Sequence, residues 1–283
     1  MFERLKMIKG KFEKVSIKDR NLWREYTSQV AIISSIVTLI SFCTPSPSDW
    51  KWRISSSILF IFCLMILFIY NWYCANQTKY AYLKMNGTKV NVLIGDLFTQ
   101  EGLKIIGVNN YIDLIADDIT VSKATLHGKF IMQHKNEIDE IKKAIDTSST
   151  LILEENFGGH NQQCYDYGSC VLYKDYILTV LTKFDKKNKA YTSIQEYMQF
   201  WMIFWMNVDV LYNSRTINIP ILGAGQTRFR GIKPEKQELI EIGLWTLKES
   251  GFCNNYSDKS INFIIYEGDA PEIDFYRIQK NFQ

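Results

Sequence analysis

Two long apolar runs near the start of the chain dominate its hydrophobic pattern. Residues 30–42 and 54–73 contain no charged side chain, and two prolines lie in the link between them. A helix needs about 20 largely apolar residues to cross a bilayer. The second run has that length, and the first reaches it when a few flanking residues are included. The pattern therefore predicts two transmembrane helices, at about residues 27–43 and 54–73, which form a membrane segment over residues 27–74 with a short external loop.

The apolar runs have two other interpretations, a cleaved signal peptide and a buried helical hairpin. A cleaved signal peptide is disfavoured, because 29 residues with eight Lys or Arg precede the first run and no small-residue cleavage site follows it. A helical hairpin buried in the core of a soluble protein is the remaining alternative. It would require other parts of the chain to cover both helices.

The charges that flank the apolar runs predict an orientation. Residues 1–26 form a basic arm with eight Lys or Arg and four acidic residues, whereas the loop between the runs has only Lys51 and Arg53 as basic residues. Basic segments stay on the cytoplasmic side. We therefore expect a two-span protein of the cell inner membrane with both termini in the cytoplasm. The whole chain has a net charge of only +3, and we expect no nucleic-acid partner.

Beyond the apolar runs, strand and helix patterns alternate. Short β-branched runs predict strands, and 3.6-residue periodicity with capping signals predicts helices. The predicted strands cover residues 89–94, 103–108, 171–184 (as two strands), 216–222 and 260–266, and the predicted helices cover residues 136–148, 193–212 and 234–250. Such alternation favours an α/β fold in which helices flank a mixed sheet.

The helix predicted at residues 193–212 has two notable features. Ser193 and Glu196 have the spacing of a capping box, which marks a helix start. Residues 200–206 are apolar almost all round. A helix that is hydrophobic on every side must be covered on every side. It therefore either packs between the sheet and neighbouring elements or contacts another protomer or the membrane surface.

The cysteines give little sign of metal chemistry. Six are present, no pair has the C-x-x-C spacing, and His160, Cys164 and Cys170 do not have the spacing of a zinc site. In a reducing compartment these thiols are most simply packing residues. We expect no metal and no cofactor.

Loops at the ends of the predicted strands carry the candidate chemistry. Residues 223–227 (G-A-G-Q-T) follow a strand and precede a predicted helix, and Arg228 and Arg230 lie beside them. Glycines let backbone N–H groups approach a phosphate, and guanidinium groups pair well with it. A second small-residue loop spans residues 122–128. Asp96 closes the first predicted strand, where it can either accept a hydrogen bond from an adenine amino group or cap the next segment.

Four segments together resemble a macrodomain, the ADP-ribose-binding α/β module. They are V-L-I-G-D, I-I-G-V-N-N, S-K-A-T-L-H-G and I-N-I-P-I-L-G-A-G-Q-T-R-F, in that order between residues 92 and 229. The resemblance implies a macro-like domain at residues 85–283. It implies that Asp96 binds adenine, that Asn109 or Asn110 contacts the distal ribose, and that the third and fourth segments hold the phosphates. The implied ligand-binding residues are Asp96, Leu97, Asn109, Asn110, Ser122, Leu126, His127, Gly128, Gly223, Ala224, Gly225, Gln226, Thr227, Arg228 and Phe229.

The first phosphate loop departs from the macrodomain pattern. The usual glycine run is reduced to Leu126-His127-Gly128, and the Asn-Ala-Ala-Asn motif is absent. This departure speaks against ADP-ribosyl hydrolase activity more than against binding. We therefore expect a ligand-binding protein with no catalytic residues. A membrane-tethered ADP-ribosyl hydrolase and an ADP-ribose-binding scaffold are the alternatives.

Two membrane spans joined to a divergent macrodomain resemble the transmembrane–macro effectors of type II Thoeris antiphage defence. The resemblance implies that a TIR-domain enzyme makes an ADP-ribose-derived signal of the histidine-conjugate type. It further implies that signal binding leads to inner-membrane disruption, which arrests or kills the infected cell.

Membrane disruption by short hairpins requires self-association, because one hairpin cannot enclose a polar path. We therefore expect a homo-oligomer in the lipid bilayer. Hydroxyl residues at 34, 35, 38, 41 and 55–57 either mediate close helix packing or bond within their own helices. His127, His160 and residues 158–169 are candidates for the wall around the non-nucleotide end of the signal.

Overall fold

The computed structural model describes residues 14–44, 49–85, 87–154, 163–184, 189–252 and 260–282. The chain divides into two compact units. One unit comprises Met1–Lys79 together with Asp274–Asn281, and the other comprises Tyr80–Ile273 with the last two residues. The first unit therefore includes a C-terminal segment that the sequence assigned to the domain at residues 85–283. Most of the basic arm at residues 1–26 lies outside the described residues.

Two long helices form the body of the first unit. Helix α1 spans Arg20–Cys43 and α2 spans Trp50–Gln77. Each begins at an aspartate, Asp19 or Asp49, whose side chain accepts hydrogen bonds from backbone N–H groups of the first turn. Their apolar stretches are long enough to cross a membrane by length and composition, and none of the residues in them is buried.

The two helices pack against each other as a hairpin. The Tyr26 hydroxyl donates to the Leu64 carbonyl at 3.2 Å, and the Asn71 amide donates to the side chain of Gln29 at 2.6 Å. Several hydroxyls bond within their own helix, as in Thr38 to the Ser34 carbonyl at 2.8 Å. Those of Ser35, Ser41, Ser56 and Ser57 do the same. Of the two alternatives for these hydroxyls, bonding within their own helices is therefore the one that the structure shows.

A short C-terminal helix, α7, spans Phe275–Asn281 and completes the first unit. The core here contains Val15, Leu22, Ala75 and Tyr276. An isolated helix shorter than about 12 residues is marginal in water. The packing of α7 in this core therefore holds it in helical form. The sequence patterns did not predict this helix.

The second unit is built on a mixed sheet. Among the described residues it has nine strands. They are β1 Ala81–Met85, β2 Thr88–Ile94, β3 Leu103–Asn109, β4 Cys170–Tyr173, β5 Tyr176–Phe184, β6 Ala190–Thr192, β7 Ile217–Pro220, β8 Arg228–Phe229 and β9 Ser260–Ile265. The order is β1-β2-β9-β7-β3-β5-β6-β8, and β4 pairs with β5.

The centre of the sheet is parallel and its margins are partly antiparallel. Strands β2, β9, β7, β3 and β5 run parallel to one another, whereas β1 pairs antiparallel to β2, and β4 and β6 pair antiparallel to β5. The carboxyl ends of the five central strands consequently meet at one edge of the sheet. Ligands of open α/β sheets bind outside that edge.

In the described residues of the second unit, four α-helices accompany the sheet. They are α3 Leu126–Gln133, α4 Ile138–Asp146, α5 Ile194–Leu211 and α6 Lys236–Glu249. Helix α5 starts with the predicted capping box: the Ser193 hydroxyl accepts from the Glu196 N–H, and the Glu196 carboxylate accepts from the Ser193 N–H. The 3₁₀ helices Leu97–Thr99 and Glu267–Glu272 lie between elements of the chain.

Helix α5 is covered on one side only. Its buried residues form an aromatic cluster in which Trp201 contacts Tyr197, Phe200, Phe204 and Trp205. The opposite side exposes Met198, Met202, Met206 and Val210. The apolar composition of residues 200–206 thus reflects mainly packing in the interior of the second unit.

Two local predictions were wrong. Residues 126–128 are not loop but the first turn of α3, where Thr125 caps the helix by accepting from the Gly128 N–H. The G-A-G-Q-T loop does not run into a helix, because β8 follows it directly and α6 begins only at Lys236. β8 pairs in parallel with β6, a contact between short segments that no local pattern marks. A helix N-terminus therefore does not add its favourable dipole to this loop.

Candidate functional site

A cavity of about 580 Å³ lies at the carboxyl ends of the central strands. Its wall contains residues from the ends of β2, β3, β5 and β7, from residues 120–129, and from the segment that follows β9. The volume suits a small molecule of nucleotide size. The strand order therefore brings together segments that are far apart in sequence.

Most of the predicted ligand-binding residues line this cavity. These are Asp96, Leu97, Asn109, Ser122, Leu126, His127, Gly223, Ala224, Gly225, Gln226 and Thr227. Four of the predicted residues are not part of the wall: Asn110, Gly128, Arg228 and Phe229.

Asp96 caps the next segment, which is one of the two roles that the sequence left open, and it also lines the cavity. Its carboxylate accepts a hydrogen bond from the Phe98 N–H at 3.0 Å and caps the 3₁₀ helix Leu97–Thr99. The residue is exposed and lines the cavity. A carboxylate has lone pairs for further donors beyond this one bond, so capping leaves Asp96 able to accept from a ligand.

The two asparagines after β3 have different surroundings. Asn109 lines the cavity, and its side-chain amide donates to Asp113 at 2.8 Å while its oxygen accepts from the Tyr111 N–H at 3.1 Å. Asn110 is fully buried, and its side-chain oxygen accepts from the Phe184 N–H at 3.0 Å. Asn109 therefore shapes the cavity wall, whereas Asn110 joins the ends of β3 and β5.

Asp113 is a partly buried carboxyl group beside this wall. Burial raises its pKa, and the hydrogen bond from Asn109 opposes that rise. The pair fixes the loop that follows β3.

His127 is a buried imidazole in the cavity wall. Its burial lowers its pKa to about 4, against the opposing effect of a hydrogen bond with the Asp113 backbone. The ring is therefore neutral at pH 7. Its Nε2 atom has no hydrogen-bond partner among the described residues. A buried polar atom without a partner is costly. Because the neutral ring donates its one N–H to the Asp113 backbone, Nε2 is an acceptor and is available to a ligand group that donates.

The glycines of the two predicted phosphate segments differ in what surrounds them. A Cβ on Gly225 would meet nothing within 4 Å, whereas one on Gly128 would lie 2.2 Å from the Ser122 carbonyl oxygen. Gly223 has a φ of +85°, which side chains other than glycine rarely adopt. Gly225 thus leaves open space at the cavity, and Gly128 permits the close approach of α3 to the preceding loop.

The predicted arginine and aromatic positions are not part of the cavity wall. Arg228 and Arg230 are exposed. Phe229 is largely buried, and its ring packs edge-on against Tyr197 at 5.7 Å and lies next to Gly223. Phe229 therefore packs in the interior next to the loop and does not line the cavity.

One lysine bonds the G-A-G-Q-T loop, and another lines the cavity. The Lys233 Nζ donates to the carbonyls of Ala224 and Gly225 at 3.2 and 3.1 Å. Lys236 lines the cavity together with Asp269 and Tyr266. The sequence patterns missed these residues, because they come from the start of α6 and from the segment after β9, and no motif marks them.

The remaining candidates from the sequence are the region of the second histidine and the cysteines. His160 and residues 158–162 lie outside the described residues. Cys164 and Cys170 are buried. Within the parts of the chain that the structure describes, no three His, Cys, Asp or Glu side chains form a group that could hold a metal ion.

The sheet order, the flanking helices and a cleft at the carboxyl ends of the parallel strands define a macrodomain. The family model described as Thoeris protein ThsA, Macro domain, matches residues 90–266, and the chain belongs to this family. A curated relative, Thoeris protein ThsA of Bacillus amyloliquefaciens (strain Y2), is 28% identical over 274 residues, which cover 93% of this chain and 91% of that protein.

Solved structures of the Oceanobacillus iheyensis macrodomain are also similar. A mutant with ADPR has a TM-score of 0.41 and 14% identity, covering 72% of this chain and 97% of its own. The same macrodomain with ADP has a TM-score of 0.37 and 14% identity, covering 72% and 95%.

Proposed function

We propose that this chain is a membrane effector of Thoeris antiphage defence, in which the macrodomain binds an ADP-ribose-derived signal without turning it over. The observation that carries the proposal is the cavity: Asp96, Asn109, His127 and Gly225 surround one space at the carboxyl ends of the central strands. Family membership supports the assignment to the defence system. The signal is expected to be the histidine conjugate of ADP-ribose that a TIR-domain enzyme makes.

The cavity offers a separate group for each part of such a ligand. Asp96 can accept from the adenine amino group. The open backbone at Gly225 can approach the diphosphate, as backbone N–H groups do in anion-binding loops. His127 Nε2 can bond the end of the ligand that lies near α3. The lack of a partner for this buried atom supports a role in binding.

The paired helices α1 and α2 supply the membrane part of the proposal. Their length, their composition and the exposure of their apolar stretches support two spans of the inner membrane. Signal binding then drives self-association of several chains and disruption of the membrane. A ligand can shift that equilibrium only by binding the assembled state better than the resting state.

Calorimetry on the full-length chain in lipid nanodiscs tests the proposal. ADP-ribose and its histidine conjugate are titrated, and the ligand is recovered afterwards. We expect binding of the conjugate, recovery of intact ligand, and loss of binding in Gly225→Glu, because its carboxylate would repel the diphosphate. Gly225→Ala is the matched control, since a methyl group there meets nothing within 4 Å. Absence of binding, or release of free ADP-ribose from the conjugate, would contradict the proposal.

A further inference from the structure

The acidic side chains near the start of α1 are bonded within the first unit. The Asp19 carboxylate accepts hydrogen bonds from two backbone N–H groups in the first turn of α1. The Glu25 carboxylate accepts from the Tyr276 hydroxyl at 2.9 Å and lies 2.9 Å from the Lys280 Nζ. Both carboxylates are therefore occupied by partners inside the unit.

The basic side chains next to these acids are exposed. Lys18, Arg20 and Arg24 have no carboxylate partner among the described residues. Arg20 and Arg24 are four positions apart in α1, so they lie on the same face of the helix, one turn apart. Arg20 is also the first residue of α1, where the helix dipole disfavours a cation. An anion from outside the chain would neutralise these charges.

Two apolar side chains beside the arginines are exposed as well. Ile17 and Trp23 are 48% and 45% exposed. The Trp23 indole N–H donates to the Ile17 carbonyl at 2.8 Å, and the indole ring packs against Phe68 of α2 at 4.8 Å. These contacts hold Ile17 and Trp23 next to each other on the surface of the unit. Tryptophan is enriched where a membrane meets water.

The spacing along α1 gives these residues a depth in a membrane that α1 crosses. Arg24 lies six residues before Val30, where the charge-free run begins. This separation is about 9 Å along a helix that rises 1.5 Å per residue. The headgroup region extends about 5–7 Å beyond the hydrocarbon core on each side. Arginine side chains are long enough to reach into it from just outside. The spacing therefore puts Trp23 and the Arg24 guanidinium at the level of the lipid phosphates.

We propose that Lys18, Arg20 and Arg24, together with the exposed pair Ile17 and Trp23, bind the headgroups of anionic phospholipids in the cytoplasmic leaflet. The basic side chains contact the phosphates, and the apolar pair enters the boundary between headgroups and acyl chains. The inference rests on the membrane part of the proposed function and needs no ligand in the cavity. It adds the class of lipid that the paired helices bind.

Quenching of Trp23 fluorescence by brominated lipids tests the proposal. The full-length chain is placed in phosphatidylcholine nanodiscs that contain increasing fractions of brominated phosphatidylglycerol or brominated phosphatidylcholine. The quenching that is lost in Trp23→Phe reports on Trp23, one of seven tryptophans. The lipid fraction at half-maximal quenching should be roughly tenfold lower for the anionic lipid, the effect of about 1.4 kcal/mol. Each basic residue near an anionic surface contributes about 1 kcal/mol.

A series of charge variants tests the role of the arginines. Arg20→Gln/Arg24→Gln should remove most of the difference between the two lipids, whereas Arg20→Lys/Arg24→Lys should retain most of it. Lys142→Gln/Lys143→Gln removes the same charge from exposed positions of α4 in the second unit, and it should leave the difference unchanged. An unchanged difference in the Arg→Gln pair, or an equal loss in the α4 pair, would overturn the proposal.

The outcomes separate this inference from the function on which it rests. If neither brominated lipid quenches any tryptophan, the chain does not enter the bilayer, and both the membrane part of the proposed function and the inference are refuted. Equal quenching of Trp23 by the two lipids would show insertion without a preference for anionic headgroups. That result would refute the inference alone and leave the proposed function intact.

Discussion

The side-chain amide of Asn71 donates a 2.6 Å hydrogen bond to the side chain of Gln29 across the paired helices α1 and α2. Interhelical hydrogen bonds in apolar surroundings contribute about 0.6–2 kcal/mol. We expect Asn71→Leu to weaken the pairing of the two helices by about that amount. Thermal unfolding of the first unit in detergent micelles, followed by tryptophan fluorescence, measures the change.

A double-mutant cycle isolates this bond from the effect of changed hydrophobicity. Gln29→Leu and the double variant Gln29→Leu/Asn71→Leu complete the cycle. The interaction energy should be favourable and close to 1 kcal/mol. Strict additivity of the two substitutions would show that the bond contributes nothing.

His127 makes the stability of the second unit depend on pH. Its pKa in the folded chain is lowered to about 4, whereas the unfolded chain has the ordinary value of 6.5. The unfolded state therefore binds the proton first, so stability is present above pH 6.5 and is lost as pH falls toward 4. Between pH 7.5 and 5 the loss should be about 2 kcal/mol. Urea unfolding at several pH values measures it.

His127→Gln is the control for the pH dependence, because glutamine does not titrate. Its free energy of unfolding should change between pH 7.5 and 5 by about 2 kcal/mol less than that of the unchanged chain. Identical slopes for the two proteins would contradict the assignment to His127.

A substitution at Gly128 should lower the stability of the fold, whatever its effect on ligand binding. A Cβ at this position would lie 2.2 Å from the Ser122 carbonyl oxygen and 2.8 Å from the Lys123 Cα, and backbone atoms cannot move away as a flexible side chain can. Gly128→Ala should therefore destabilise the fold by about 1–3 kcal/mol. The midpoint of urea unfolding checks this, with Gly225→Ala as a control that should shift it little.

The role of Asp96 in ligand binding can be tested with a variant that still caps the 3₁₀ helix Leu97–Thr99. Serine at this position also caps a helix start, so Asp96→Ser should leave the free energy of unfolding within about 0.5 kcal/mol. The shorter hydroxyl cannot reach an adenine amino group as the carboxylate can, and the affinity for ADP-ribose should fall roughly tenfold. Unchanged affinity in calorimetry would reduce Asp96 to a capping residue.

The sequence predicted the elements that have strong local signals. β2, β3, β5, β7 and β9 follow β-branched runs, and α5 starts at a capping box. The missed elements have no such signal. α7 is helical because of its contacts with α1, and β6 and β8 exist because they pair with each other across a long separation. Tertiary contacts decide these short segments, and local patterns do not record them.

Prediction of the cavity wall succeeded in part for a similar reason. Strand-end residues such as Asp96, Asn109 and Gly225 were found because parallel strands bring their carboxyl ends together. Lys236 and Asp269 were missed, since α6 and the 3₁₀ helix approach the cavity only through the packing of the second unit. Asn110 and Phe229 were assigned to the ligand on the basis of resemblance, and the structure turns both toward the protein interior.

The position of β9 between β2 and β7 has a consequence for biosynthesis. The sheet is incomplete until the last strand has been made, yet the two apolar helices leave the ribosome about 200 residues earlier. At a synthesis rate of about 5–20 residues per second, the hairpin precedes its finished partner domain by roughly 10–40 s. Under the proposed function, the hairpin is present during that interval without the cavity that binds the signal. The proposal therefore requires the hairpin to be harmless by itself and to act only once the sheet is complete.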